Sequence, residues 1–193
     1  TVLIKNFYYD NVLPEGNTKI IETRLRIRKE EGWVFANYKW NNDQTQAIYD
    51  LNGSYVPVDF IENDVQRNIN YFIPSGAQCL TCHKSENDIG IPIGVKPQNL
   101  NRMLSYPNGT MNQLDKWVEM GYLMNNYPST IDTVVDWEDS SKSLDMRVRS
   151  YLDINCDHCH SDNRHCDYRP IRFEFIESSD ITSLGVCVQA QDI

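Results

Sequence analysis

Alternating apolar and charged side chains in the first third of the chain predict β-strands. Between Ile21 and Ile27, apolar side chains and a threonine alternate with charged ones, the period of two that is typical of a strand with one buried face. A turn at Glu31-Gly32 leads to a returning strand over 33–40, and the same reading predicts strands over 45–51, 54–61 and 70–73. The Asn52-Gly53 pair predicts a tight hairpin between the strands on either side. We therefore expect an antiparallel β meander.

A different pattern begins near residue 75, where short helical segments alternate with loops rich in Pro, Gly and Asn. Asn112 is placed to cap one helix and Ser143 to cap a second. The second helix is predicted to carry its apolar side chains on one side: Leu144, Val148, Tyr151 and Leu152. The predicted fold class is α+β, with a β-rich domain over residues 1–74 and a mostly α-helical region over 75–193.

Charge and composition exclude some classes of protein. The 193 residues carry a formal net charge of −9, which disfavours binding to nucleic acid because phosphate would be repelled. No apolar run is long enough to span a bilayer. Thr1-Val2-Leu3-Ile4 has the pattern of a strand interior, so we expect the chain to be part of a longer protein.

Two copies of the motif Cys-x-x-Cys-His carry the strongest chemical signal, namely Cys79–His83 and Cys156–His160. Covalent attachment of haem needs two thiols that add to the porphyrin vinyl groups and an imidazole that reaches the iron, and this motif supplies all three. The sequence therefore predicts two covalently bound c-type haems, with Cys79, Cys82, Cys156 and Cys159 forming the thioethers.

Other uses of these cysteines remain open. A thioredoxin-like dithiol would leave the histidine after the second cysteine unexplained. A zinc ion needs four ligands, which the second motif could provide as Cys156, Cys159, His160 and His165. The two remaining cysteines, Cys166 and Cys187, are expected to form a disulfide in an oxidising compartment.

Further short segments of the sequence resemble a bacterial family of diheme c-type cytochromes, whose members are often named together with parallel β-helix repeat proteins. Besides the two motifs, the segments that carry the resemblance are spread over nearly the whole chain. They include Tyr38-Lys39-Trp40-Asn41, Tyr71-Phe72-Ile73-Pro74, Asn99-Leu100-Asn101-Arg102 and Ser150–Cys156. The resemblance implies a cytochrome c-like diheme region after the β domain. Family members extend further at both ends, with a methionine-containing segment downstream.

Binding of c-type haem also implies axial ligands for the iron and hydrogen-bond partners for those ligands and for the propionates. His83 and His160 are the predicted axial ligands of iron, and Met120 or Met124 is the candidate sixth ligand of the first haem. Each axial histidine is expected to donate its other N–H to a carbonyl, from the 91–97 loop for His83 and from near Pro170 for His160. Candidate partners of the haem propionates are Arg102, Arg147 and Arg149.

The expected function is electron transfer without enzymatic activity, since no other catalytic constellation is found. The expected partners are redox proteins, such as another cytochrome or a membrane redox complex, and the expected compartment is the bacterial periplasm or cell surface. Two alternatives stay open: a diheme peroxidase-like enzyme with one open haem site, and a haem-bearing structural subunit of a surface redox complex.

Overall fold

The computed structural model describes residues 1–84 and 90–189. The chain divides into two compact units, Thr1–Pro92 and Ile93–Ile193, each described by itself below. This division lies later than the predicted boundary after residue 74, so the first Cys-x-x-Cys-His motif belongs to the unit that contains the β-sheet. Within the described residues, no helix has the length and apolar character needed to cross a bilayer.

The first unit is an antiparallel sheet, as the alternation of residues predicts, followed by helix α1 (Gly76–Cys82). The six strands of the sheet are β1 (Val2–Val12), β2 (Asn17–Lys29), β3 (Gly32–Trp40), β4 (Ala47–Tyr49), β5 (Ser54–Glu62) and β6 (Val65–Ile73). The spatial order is β4-β3-β2-β1-β5-β6. The strands do not form the predicted meander, because β4 and β5 are not neighbours in the sheet. The fold is therefore α+β, with a curled N-terminal sheet and few, short helices.

The predicted hairpin at Asn52-Gly53 is wrong. Strand β4 pairs with β3 at one edge of the sheet, whereas β5 pairs with β6 and β1, so the chain crosses the sheet between β4 and β5. The Asp50 carboxylate accepts hydrogen bonds from the backbone N–H groups of Asn52 and Gly53 at 3.1 and 2.8 Å. This side-chain turn redirects the chain without pairing the flanking strands. The two-residue turn of the β5–β6 hairpin is Asn63-Asp64 instead, both with positive φ.

A small apolar core joins the two halves of the sheet. Strand β1 meets β5 through the ladder pair Val12–Phe60, a backbone hydrogen bond from Leu13 to Asp59 and a side-chain hydrogen bond from Asn11 to the carbonyl of Ile61. Val12, Ile21, Val58 and Phe60 are buried together across this junction. Apolar packing thus does more than the ladder to hold β5 and β6 on the sheet.

The charged face of β2 is not solvated as alternation predicts. Glu22 is fully buried and Arg26 is only 9% exposed. A register shift between β1 and β2 beside Glu22 places Ile21 and Glu22 side by side in the interior. Arg24 neutralises Glu22 with two hydrogen bonds of 2.7 and 2.9 Å, which explains how a carboxylate is accommodated there.

The second unit is less helical than predicted. Its regular elements are α2 (Pro97–Leu100), a hairpin of β7 (Met103–Tyr106) and β8 (Gly109–Asn112), α3 (Gln113–Glu119), α4 (Leu144–Asn155) and a 3₁₀ turn at Glu177–Ser179. Asn112 and Ser143 cap α3 and α4 as predicted. The described residues between and after these helices have no long regular element, because Gly and Pro interrupt them.

Helix α4 does not bury the apolar side that the sequence pattern predicts for it, although Leu152 on that side is half-buried. Its buried side is polar, with Ser150 and Asp153 almost inaccessible. Leu144 is 71% exposed, and Val148 and Tyr151 are exposed as well. The hydroxyl of Ser150 accepts a hydrogen bond of 2.9 Å from the Val135 backbone, so the polar side is satisfied by specific bonds.

Candidate functional site

The first motif lies on α1 (Gly76–Cys82) and the residue that ends it. Ser75 and Gln78 form a capping box at its start, which fixes where the helix begins. His83 is the C-cap residue, and its backbone N–H bonds to the carbonyl of Cys79 at 3.0 Å. Cys79, Cys82 and His83 therefore stand at the i, i+3 and i+4 positions that share one helix face.

His83 is held in one tautomer by its two ring contacts. Its Nδ1 lies 3.0 Å from the carbonyl of Ile91, and its Nε2 lies 2.7 Å from Nη2 of Arg26. A guanidinium can only donate, so Nε2 accepts and Nδ1 carries the proton that it donates to Ile91. This confirms the predicted carbonyl partner in the 91–97 loop. In this tautomer the lone pair of His83 is on Nε2, where it accepts from Arg26.

The surroundings of His83 come from strand β3 and the returning chain. The ring of Phe35 lies 5.1 Å from the imidazole of His83. A Cβ at Gly90 would come within 2.9 Å of that phenyl ring, so only glycine fits against β3 there. The backbone N–H of Ile91 bonds back to the carbonyl of His83 at 2.8 Å. The imidazole thus packs beside an aromatic ring, and Ile91 contacts both the imidazole and the backbone of His83.

Asn37 connects the sheet to the start of α1. This buried residue of β3 donates to the carbonyl of Pro74 at 2.7 Å, and its amide nitrogen lies 3.6 Å from the sulfur of Cys79. The position of the first motif cysteine is therefore set by the sheet as well as by the helix.

The second motif begins at the C-cap of α4 and continues as one more helical turn. Cys156 caps the helix, and the backbone N–H groups of Cys159 and His160 both bond to its carbonyl at 3.1 Å. Cys156, Cys159 and His160 consequently have the same i, i+3, i+4 relation as in the first motif. Burial raises the pKa of the Cys156 thiol, so that thiol is held in its neutral form.

His160 lacks the second contact predicted for it. Its Nδ1 is buried without a hydrogen-bond partner among the described residues, and no carbonyl near Pro170 reaches it. Its ring instead packs edge-on against Phe173, with the ring centroids 5.1 Å apart. Burial, followed by the charges of Arg172 and Arg169, lowers the pKa of His160 and favours the neutral imidazole.

A buried charge network braces the second motif. The ammonium of Lys96 lies 2.8 Å from Asp153 in the last turn of α4 and 2.8 Å from Asp157 inside the motif. Asp153 also accepts hydrogen bonds from Asn99 and from the backbone of Phe175. Lys96 thus joins the end of the helix to the loop between the two motif cysteines.

The geometry of the motifs bears on the kind of group they could hold. Within the described residues, the ligand atoms of neither motif converge into a group of three at the spacing a metal ion needs, and the set Cys156, Cys159, His160 and His165 does not either. The zinc alternative for the second motif is not tested by this geometry and stays open.

The other predicted site residues have the following positions. Met120 and Met124 lie in the second unit, 51% and 74% exposed, so their assignment to the first haem stays a prediction. Cys166 and Cys187 are not joined in the structure, and the expected disulfide between them stays a prediction. Arg149 donates hydrogen bonds to the carbonyl of Phe175 and to the hydroxyl of Ser178, so these N–H groups are already used within the protein.

Sequence reasoning missed two residues of the sites. Arg26 appears in a regular strand pattern, and Lys96 appears as an isolated lysine before a proline. No local signal marks either of them, because each acquires its role from a residue 57 positions away. A buried charge of this kind becomes visible only in three dimensions.

Comparison of the chain with protein-family models, with curated proteins and with solved structures finds no match.

Proposed function

We propose that the chain binds two c-type haems covalently, one at each Cys-x-x-Cys-His turn, and transfers electrons. The observation that carries the proposal is the contact between Nδ1 of His83 and the carbonyl of Ile91, 3.0 Å long. That contact is the usual second interaction of a metal-binding histidine, since it fixes the ring and leaves Nε2 for the metal. The equal spacing of the two motifs extends the proposal to His160.

The residues fit such a group in several respects. Two thiols and an imidazole stand at the i, i+3 and i+4 positions of a helical turn at each motif. Phe35 and Phe173 supply aromatic walls beside His83 and His160. When bound, each haem iron supplies one-electron chemistry by alternating between its ferric and ferrous states.

The chain's own residues would then hold and tune the two sites. Cys79 and Cys82 attach the first group, and Ile91 orients its axial histidine. Cys156 and Cys159 attach the second, in a loop braced by Lys96. Such a cytochrome c-like diheme protein would exchange electrons with redox partners in the periplasm or at the cell surface, where thioethers to haem are formed.

A second function, peroxidase-like catalysis, is favoured by one feature of the first unit. Residues 1–92 contain no methionine and no histidine other than His83. The first unit therefore offers neither of the common protein ligands for a sixth iron position. A first haem without a strong sixth ligand would bind small molecules, including peroxide.

Haem content tests the proposed function. The chain is produced with a bacterial c-type maturation system, and its intact mass and pyridine haemochrome are measured. We expect the mass of two haems per chain and reduced spectra of the c type. A chain that carries no haem would overturn the proposal. Added carbon monoxide then separates the two functions, since electron carriage alone predicts no binding and the peroxidase-like function predicts binding at one haem.

Cysteine variants assign the haems and supply the control. Replacing Cys79 and Cys82 with Ala, or Cys156 and Cys159 with Ala, should each remove one haem and leave the other, because the motifs lie in different compact units. Replacing Cys166 and Cys187 with Ala changes the same number of cysteines outside the motifs. That variant should retain both haems, and loss of haem from it would contradict the assignment.

A further inference from the structure

Arg26 carries a buried positive charge that the described protein does not neutralise. Its side chain is only 9% exposed, its Nε is buried without a hydrogen-bond partner, and it forms no ion pair with an acid among residues 1–84 and 90–189. Glu22, four residues earlier on the same strand, accepts hydrogen bonds from Arg24 with both of its carboxylate oxygens. A buried cation without a counter-anion is costly, so its retention needs a reason.

The charges around Arg26 increase the demand for an anion. Lys5 of β1 and Arg24 of β2 lie near Arg26, and they stack against the same ring, Phe7, at 4.9 and 4.3 Å. Burial, followed by the charges of Arg26 and Arg24, lowers the pKa of Lys5. Lys5, Arg24 and Arg26 therefore form a positively charged environment on this part of the sheet, with Glu22 as its carboxylate.

The contact between Arg26 and His83 cannot persist once iron is bound. Nη2 of Arg26 donates to Nε2 of His83, and iron would need the same lone pair. The Arg26 backbone is fixed between Leu3 of β1 and Phe35 of β3, so only the side chain can respond. The guanidinium would have to leave Nε2 while remaining close to the imidazole and to Phe35, whose ring centroid lies 5.8 Å away.

We propose that Arg26 binds a propionate carboxylate of the haem attached at Cys79 and Cys82. This inference rests on the proposed function. The group that displaces the guanidinium from His83 brings two carboxylates into the same positively charged environment, and one of them supplies the missing counter-anion. Arginine suits this role because its planar fork can donate two parallel hydrogen bonds to one carboxylate.

The test is potentiometry of Arg26→Gln and Arg26→Lys in the full haem-loaded chain, with Arg28→Gln as the matched control. Arg28 lies two residues further along β2, on the same face but exposed to solvent. The Cys156→Ala, Cys159→Ala chain identifies which potential belongs to the first haem. Haem count is measured before any potential, because absence of haem reports on the proposed function and not on Arg26.

We expect Arg26→Gln to lower the potential of the first haem and leave the second unchanged. Loss of the guanidinium leaves the propionate charge uncompensated, which favours the ferric state. The carboxylate would then take up a proton on reduction, so the potential would become pH-dependent between about pH 5 and 8. The groups facing this position are Lys5, Arg24, Cys79 and His83, and they are the same in all variants.

Arg26→Lys should give a smaller shift of the same sign, because it retains the charge and loses the fork. Arg28→Gln should shift neither potential. Two haems with an unchanged first potential and pH profile in Arg26→Gln would overturn the inference while leaving the proposed function intact. Identical behaviour of the Lys and Gln variants would overturn it as well, since charge would then play no part.

Discussion

At the scale of single residues, Gly53 lies so close to the start of the first motif that there is no room for a Cβ atom. Its φ is +76°, and a Cβ there would lie 2.7 Å from both the Ile73 carbonyl and the Ser75 nitrogen. Ser75 is the N-cap of α1. The turn after β4 therefore packs directly against the residues that start the helix carrying Cys79.

Gly53→Ala and Gly16→Ala form a matched pair of substitutions. Gly16 has nearly the same φ, +72°, but a Cβ there meets nothing within 4 Å. We expect Gly16→Ala to lower the free energy of unfolding by about 1 kcal/mol, from backbone strain alone. Gly53→Ala should cost about 2 kcal/mol more because backbone atoms must move. Urea unfolding measures both, and equal costs would contradict the close approach at Gly53.

At the scale of elements, α4 depends on its polar side. Ser150 and Asp153 are buried and hydrogen-bonded, whereas the apolar residues on the other side are exposed. The connection from this helix to the second motif is Lys96, which bonds to Asp153 and to Asp157. Removing the ammonium would leave two carboxylates buried without their shared counter-ion.

Lys96→Met should therefore lower the free energy of unfolding by on the order of 3 kcal/mol near neutral pH. Lys116→Met is the control, because the Lys116–Glu119 pair of 2.9 Å is solvent-exposed on the glutamate side and should contribute less than about 1 kcal/mol. Urea unfolding of the two variants and the parent gives the comparison. Equal costs would show that the buried network does not stabilise the unit.

The pH dependence of the Lys96 effect has a defined sign. Burial alone would lower the pKa of Lys96, but the hydrogen bonds to Asp153 and Asp157 outweigh it and raise the pKa above its usual value. The stabilisation is then fully present below the unfolded pKa of about 10.4 and is lost as pH rises through the folded pKa. The difference between parent and Lys96→Met should accordingly shrink in strongly alkaline solution.

Elements of this protein were more predictable from sequence than their surroundings. The strand pattern of β2 and the caps Asn112 and Ser143 are local signals, and each is confirmed. The prediction of a hairpin at Asn52-Gly53 was wrong because the Asp50 carboxylate binds the backbone N–H groups of these two residues. The burial of Glu22 and Asp153 was not predicted. A hydrophobic period shows which residues share a face, but residues that are distant in the chain decide which face is covered.

In the candidate sites, too, local features were predicted from the sequence and contacts between distant residues were not. The cysteine and histidine spacing of both motifs is a sequence signal, and the Ile91 carbonyl was predicted from the chemistry of metal-bound histidine. Arg26 was not, since its role depends on a strand and a helix that are far apart in the chain. The expected partner for His160 near Pro170 is absent from the described residues, where Phe173 packs against the ring instead.

At the scale of the whole molecule, the net charge of −9 governs encounters with partners. Propionates would add to this negative charge. If the chain carries electrons as proposed, a small basic c-type cytochrome should accept them quickly at low salt, because attraction raises the association rate by about tenfold or more. Stopped-flow mixing should show a second-order rate constant that falls as ionic strength rises from about 0.01 to 0.15 M.

An acidic electron acceptor is the control for this effect. Its rate constant should rise with salt, since screening then weakens repulsion. Equal salt dependence for basic and acidic acceptors would contradict steering by net charge.

The junction between β1 and β5 gives the first unit a weak point with its own temperature dependence. One ladder pair, a few hydrogen bonds and a small apolar cluster around Val12 and Phe60 join two sets of strands that are otherwise well paired. Apolar association loses strength on cooling, whereas backbone hydrogen bonds do not share that dependence. Cold would therefore loosen the attachment of the β5–β6 hairpin before it loosened the pairing within the hairpin, and the curl of the sheet would relax while its strands stayed intact.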